Sequence, residues 1–279
     1  MDQKPINPLV KHFRRPAIYF KLPSAGNFWE ENTLDLPVIG EIPVYPMTTA
    51  DELTLKTPDA LMNGSGIVSV IQSCCPNIKD AWKMPSIDVD AVLIAIRIAS
   101  YGQSMAISSV CPHCGEEHDY DVDLVNLIGQ VKCPNFNTPV EYDGLKIKLQ
   151  PQQYFAVNRN NVATFEEQRI LQSLNDTSLD DDVKTARVAQ SMQNLLNANI
   201  QLLVGSTEYI ETEDGVRVKE EEFLTEFYKN SEGQITRAIE ARLAEIAKEG
   251  ALPLIDLGCV ACNKEYQTPL EFDYSRFFA

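Results

Sequence analysis

Between Ser86 and Gly102 the chain carries Val89, Val92, Leu93, Ile96 and Ile98, apolar positions that fall nearly all round a helix. A helix without a polar face belongs inside a core, and here Arg97 is the exception. Tyr101-Gly102 supplies its stop. Upstream, Ile67, Val68, Val70, Ile71 and Cys74 predict a second buried helix, ended by Pro76. Thr49-Ala-Asp-Glu52 fits a capping box. Thr57-Pro58 fits an N-cap with proline at the first position of a short helix, which Asn63-Gly64 stops. Before these, Leu36 to Ile39 and Glu41 to Tyr45 read as short strands around Gly40, kept at a sheet edge by Pro37 and Pro43.

Past Gly102 the period changes from helical to alternating. Met105 to Val110 predicts one strand, and a second follows in which His118, Tyr120, Val122 and Leu124 alternate with Asp119, Asp121 and Asp123. Val140 to Leu149 predicts a hairpin turning at Asp143-Gly144. From about 152 to 250 the text is largely helical. Phe165, Ile170, Leu171 and Leu174 outline one helix. Asp180 to Asp182 suit the positive end of the next, which carries Val183, Ala186, Ala189, Met192, Leu196 and Leu203 and ends by Gly205. A hairpin between Tyr209 and Val218 turns at Asp214-Gly215. Two more helices carry Phe223, Leu224 and Phe227, then Ile235, Ile239, Leu243 and Ile246, with Gly250 as C-cap. Near the end, Tyr266, Thr268, Leu270, Phe272 and Tyr274 alternate as a strand. The expected fold is α+β, a mixed helical and short-strand domain with a mostly helical insertion. Its stretches are an N-terminal arm (1–15), an α+β region (16–104), a first cysteine knuckle with hairpins (105–150), the helical insertion (151–250), and a second knuckle with an aromatic tail (251–279).

Those knuckles are the candidate chemistry. Cys111-Pro-His-Cys114-Gly115 and Cys259-Val-Ala-Cys262-Asn263 are both CxxC, each set between an apolar strand and an alternating one. Two such pairs supply the four sulfurs of a closed, zinc-ribbon-like clasp holding one structural zinc; an iron-sulfur cluster or a single iron uses the same ligands. Gly115 and Asn263 stand where the turn needs a positive φ. Sulfur-only coordination leaves no open position for substrate, so the site is structural. His113 sits inside a knuckle and reaches the ion poorly, His118 reads as a surface or packed residue, and Cys133 stands alone. Cys74 and Cys75 are adjacent and read as small core residues.

The chain has 279 residues and a formal net charge of -16. That excess argues against a general nucleic-acid binder. No apolar run has the length of a membrane span, and the start of the chain lacks the apolar stretch of a signal peptide, so synthesis in a reducing cytoplasm is expected. Enzyme signatures are missing: three histidines, at 12, 113 and 118, offer no catalytic arrangement, and Gly64-Ser-Gly66 lacks the lysine of a phosphate loop. No catalytic residue and no small-molecule substrate are expected. Docking residues are expected among Arg14 and Arg15 of the basic arm, Tyr19, Phe20, Phe28 and Trp29 after it, and Phe277 and Phe278 at the end.

Four stretches in order, Tyr19 to Phe28, Ile42 to Glu52, Thr57 to Gly64 and Ala95 to Gly102, resemble the T4-type bacteriophage baseplate proteins related to the hub component. The resemblance covers about the first third of the chain. It implies a structural subunit in the baseplate of a contractile tail, at or near the hub, without catalysis and acting through other tail proteins or its own copies. An assembly factor that leaves the finished particle is the alternative from the same resemblance. A zinc-ribbon regulator that associates with nucleic acid is a second, against the charge.

Overall fold

The computed structural model describes residues 7–57, 63–173, 181–270 and 277–278. Asn7 caps a short 3-10 helix, Pro8–His12, whose residues are exposed. The chain then enters β1 (Ile18–Phe20), antiparallel to β2 (Ile42–Val44), with Tyr19 opposite Pro43. The strand expected at Leu36 to Ile39 is instead a turn. Proline offers no N–H to a ladder, and the Gly40 N–H closes on the Pro37 carbonyl at 2.8 Å with Gly40 at φ +75°, leaving Val38 fully exposed.

Helix α1 (Thr49–Leu55) is capped one residue earlier than the sequence suggests. Thr48 is the N-cap: its hydroxyl accepts from the Asp51 N–H, while the Asp51 carboxylate accepts from the Thr48 N–H at 2.7 Å. The short helix expected after Thr57 falls in residues 58–62, outside those described. Helix α2 (Ser65–Cys74) buries Ile67, Val68, Val70, Ile71 and Cys74, and Cys75 follows them into the core. Helix α3 (Ser86–Tyr101) has residues 91 to 96 all within 1% of full burial, as its all-round apolar surface requires. Asp88 in its first turn is also buried. It accepts from the Ser24 N–H (2.8 Å), the Ser24 hydroxyl (2.5 Å) and the Trp29 indole (2.9 Å), which ties the aromatic N-terminal loop to the central helix.

Strands β3 (Ser104–Val110) and β4 (Glu117–Asp123) form the first cysteine hairpin. The alternation foreseen through Leu124 stops at Asp123, because the Asp123 carboxylate caps the N–H groups of Val125 and Asn126 and opens α4 (Leu124–Gly129). Strands β5 (Val140–Tyr142) and β6 (Leu145–Leu149) turn through Asp143 and Gly144, both at positive φ. After α5 (Tyr154–Ser173) and α6 (Asp181–Gly205), β7 (Thr207–Glu211) pairs with β6, and β8 (Arg217–Val218) completes a sheet of order β5-β6-β7-β8. Helices α7 (Glu221–Asn230) and α8 (Gly233–Gly250) cover it, and Ile147, Leu149, Leu203, Ile210, Leu224 and Ile239 share a second core. The hairpins at 140–149 and 207–218 therefore belong to one sheet.

Two expectations fail in this helical stretch. The apolar stripe proposed for α6 is largely on the surface: Ala186, Ala189, Met192 and Leu196 are exposed, and among the described residues buried apolar side chains start at Ile200. The facing position on α5 is polar, with Glu167 accepting from Asn194 at 2.6 Å. Hence the apolar residues turn outward. Leu174 and the side chains of Leu171 and Val183 lie outside the described residues. Gly250 is the last residue of α8, not its left-handed cap; it is there because a Cβ would stand 2.5 Å from Pro134 Cγ.

The second cysteine hairpin, β9 (Ile255–Gly258) and β10 (Glu265–Thr268), precedes Pro269. The continuation expected through Phe272 and Tyr274 lies outside the described residues. Phe277 and Phe278 are packed in the main core. The Arg97 guanidinium donates to the Phe277 carbonyl at 3.0 Å and the Tyr101 hydroxyl to that of Phe278 at 3.1 Å, so the one cation of the central helix holds the chain end.

Two measurements check these contacts. Asp88→Ala strands three buried donors and is expected to cost roughly 2–4 kcal/mol in urea unfolding. Burial raises the Asp51 carboxyl, but the hydrogen bonds from Thr48 and the Arg14 guanidinium beside it outweigh burial and hold its pKa below the ordinary 3.8. Its contribution to stability is present above that value and is lost as pH falls through the lower folded value. Asp51→Asn is therefore expected to flatten the acid limb of stability against pH.

Candidate metal centre

Both cysteine pairs sit on turns built alike. In the first, the Cys111 N–H donates to the Glu116 carbonyl and the Gly115 N–H to the Cys111 carbonyl, each at 2.9 Å. In the second, Cys259 pairs with Lys264 and Asn263 with Cys259 at the same distances. Gly115 (φ +77°) and Asn263 (φ +56°) take the left-handed conformation that the sequence assigns to them.

The two turns face one another, and all four Sγ atoms lie within 4.8 Å of each other. Across the pairs, Cys111 to Cys262 is 3.8 Å and Cys114 to Cys259 is 3.6 Å. Disulfide sulfurs stand about 2.05 Å apart, so these are not bonded pairs. A tetrahedral ion with metal–sulfur distances of about 2.3 Å sets its ligands roughly 3.8 Å apart, close to the two distances seen across the pairs. The four cysteines lie close together and could bind a metal ion. Cys111 and Cys259 are buried, Cys262 is half-buried and Cys114 is exposed. Leu257, Tyr266, Ile107, Tyr120 and Ile255 wall the cluster, with Tyr120 and Tyr266 edge to face at 6.4 Å.

The electrostatics of the four thiols are unequal. Backbone N–H groups of Cys262 and Ala261 point at the Cys259 sulfur and, against the cost of burial, lower its pKa to about 6. Cys114 receives the Glu116 N–H, but the atoms crowding its sulfur within the cluster, the neighbouring thiols among them, prevail and raise it to about 12. Cys262 has its own donor in the Lys264 N–H and is raised nonetheless by burial and by the sulfurs around it. Charge on one sulfur thus discourages charge on the next, and a fully deprotonated set calls for a cation among them. Neither histidine joins the group: His113 is exposed beside it, and His118 stands on β4 against Tyr120. Cys133 is apart, its thiol 3.6 Å from the Pro134 carbonyl.

Residues 17–279 match the family model described as T4 bacteriophage base plate protein. The chain belongs to that family. No curated protein and no solved structure matches it. The base plate match extends well past the N-terminal third that carries the resemblance, over both cysteine hairpins and the helices between them. It makes this chain a structural component of the phage tail, working among other phage proteins.

For a base plate protein the docking candidates matter, and the fold treats them differently. Tyr19 is 62% exposed, and Arg15 is also on the surface. Phe28 is partly exposed, with its edge against Phe136 at 5.2 Å. Phe20 packs against the main core and Trp29 bonds Asp88. Arg14 is drawn inward, donating to the Pro46 carbonyl, the Asp51 carboxylate and the Ser73 carbonyl. Phe277 and Phe278, expected at an outer surface, are 1% and 6% exposed inside the chain's own core, where the bonds from Arg97 and Tyr101 hold them. Sequence reasoning did not single out Val38, Ile39 and Leu53, which are exposed apolar side chains on the same N-terminal region. The proline and glycine on either side of Val38 and Ile39 were the available signal.

Removing one sulfur is the direct test of the cluster. Cys111→Ser or Cys259→Ser is expected to lower the affinity for Co²⁺ by more than about 100-fold, beyond the usual loss from an outer-shell change. The tetrahedral thiolate absorption bands report it; Cys133→Ser should leave them unchanged.

Proposed function

We propose that this protein is a non-enzymatic subunit at or near the hub of a contractile-tail base plate, with one structural zinc held by Cys111, Cys114, Cys259 and Cys262. Membership of the base plate family across nearly the whole chain is the observation that carries the reading. The sulfur tetrahedron supports the metal assignment, since zinc favours four thiolates in a closed site. In this reading the ion joins two hairpins and does no chemistry. A structural zinc contributes roughly 10–16 kcal/mol to organising its ligands, enough to hold both ends of the intervening chain.

The function then lies in surfaces. Arg15, Tyr19 and Phe28, with the exposed Val38 and Ile39 nearby in sequence, provide apolar and cationic contacts on an otherwise acidic protein. Partners are other tail proteins or further copies of this chain.

Mass spectrometry and cryo-EM of purified tails test the placement. The expected result is a stoichiometric protein at the tail tip; abundance in infected cells with absence from particles would instead identify an assembly factor. Metal analysis of freshly purified, reduced protein should return one zinc per chain. Iron, or no metal, would overturn the zinc assignment, and salt-dependent DNA binding at physiological ionic strength would favour a nucleic-acid role.

A further inference from the structure

A cavity of about 380 Å³ opens where the main core meets the second one. The first turn of α3, the 131–136 loop, the Gln150 to Gln152 segment and the ends of α6 and α8 enclose it. This volume is in the range of small-ligand sites. Its walls are mostly apolar, with Ile87, Val157, Leu202, Leu243 and Ile246 among them.

One charged group, Asp90, lines the cavity among the described residues. Asp90 is solvent-exposed on the cavity wall, and its side chain has no hydrogen bond or ion pair with a described residue. The protein packed near the carboxyl nonetheless raises its pKa. Asp88, two residues earlier, is the contrast: its carboxylate is satisfied by three donors.

The two glutamine amides of the wall are already committed as donors. The Gln152 amide donates to the Leu202 carbonyl (2.8 Å) and the Ser206 hydroxyl (3.0 Å), and the Gln150 amide donates to the carbonyls of Gly205 and Thr207. The site therefore offers a carboxylate and apolar surface, with the Ser86 and Ser206 hydroxyls beside them, and holds no cation among the described residues. The matching ligand has a positive head on an apolar stem.

We propose that this cavity binds an aliphatic ammonium, with Asp90 facing the charge and the apolar walls facing the methylenes, and that its occupant is a lysine side chain of a neighbouring protein. The ammonium chemistry follows from the cavity alone. Only the identity of the source rests on the base plate reading.

The test uses the full chain, isotope-labelled, with n-pentylammonium as probe and amide NMR shifts at Ile87, Ala91 and Ala247 as readout. Saturable binding with Kd on the order of millimolar is expected. Asp90→Asn keeps the shape and is expected to weaken pentylammonium about tenfold, the effect of a charge-assisted contact. It should leave 1-pentanol, a neutral stem of equal length, unaffected. Equal affinity of wild type and Asp90→Asn for the amine, or pentanol binding the wild type as tightly as the amine, would overturn the proposal. N-acetyl-lysine methylamide separates the sources: binding with the same dependence on Asp90 supports a protein lysine, and failure while pentylammonium binds overturns that source. These outcomes are independent of whether the chain is found in tails, so the two readings fail separately.

Discussion

A helix with apolar residues on every side has to be enclosed, and in this protein the enclosure of Ser86–Tyr101 governs the arrangement of distant segments. The β1–β2 pair, α2 and the chain end at Phe277 and Phe278 all bury side chains in the core around it. Burying a large aliphatic side chain contributes about 1.5–3 kcal/mol, so these surfaces supply much of the driving force. The two polar residues that break the pattern then act as connectors. Asp88 fastens the Ser24–Trp29 loop from within, and Arg97 takes the Phe277 carbonyl at the other end. Each would be costly if left unpaired in that setting.

The cysteine cluster solves a different problem, that of sequence distance. Cys114 and Cys259 are 145 residues apart. Bringing the ends of such a loop together costs about 4 kcal/mol in chain entropy by the logarithmic rule, before any local ordering. The intervening chain shares this cost, because β6 pairs with β7 and the second core draws residues from both sides of the long helices. The sulfurs are therefore assembled by a folded scaffold and do not have to close an open loop alone. An ion held by all four would then lock an arrangement that packing already favours.

The outer surface differs from the interior in kind. Between α5 and α6 the contact is partly polar, at Glu167 and Asn194, whereas Met192 and Leu196 face outward. In the N-terminal region, Val38 and Ile39 stand on a turn that a proline and a glycine hold away from the body. A base plate subunit works through contacts with its neighbours, and such side chains are available for them. The acidic balance of the chain makes cationic partners electrostatically favourable.

Residue pattern alone determined the α+β class, the buried pair of helices, the hairpin at Asp143-Gly144 and the cysteine turns with their left-handed Gly115 and Asn263. These are local features: a period, a cap or a required φ is written in a few neighbouring residues. It did not determine that Leu36 to Ile39 would turn, that Asp123 would start a helix, or that the apolar stripe of α6 would face outward, since each depends on competition with a partner elsewhere. The four-cysteine site was legible as two matched pairs, but only the tertiary structure brought their sulfurs to tetrahedral spacing. The cavity around Asp90 left no sequence signal at all. An aspartate near the start of a helix reads as an ordinary surface charge, and only the convergence of several separate segments sets it on the wall of an apolar cavity.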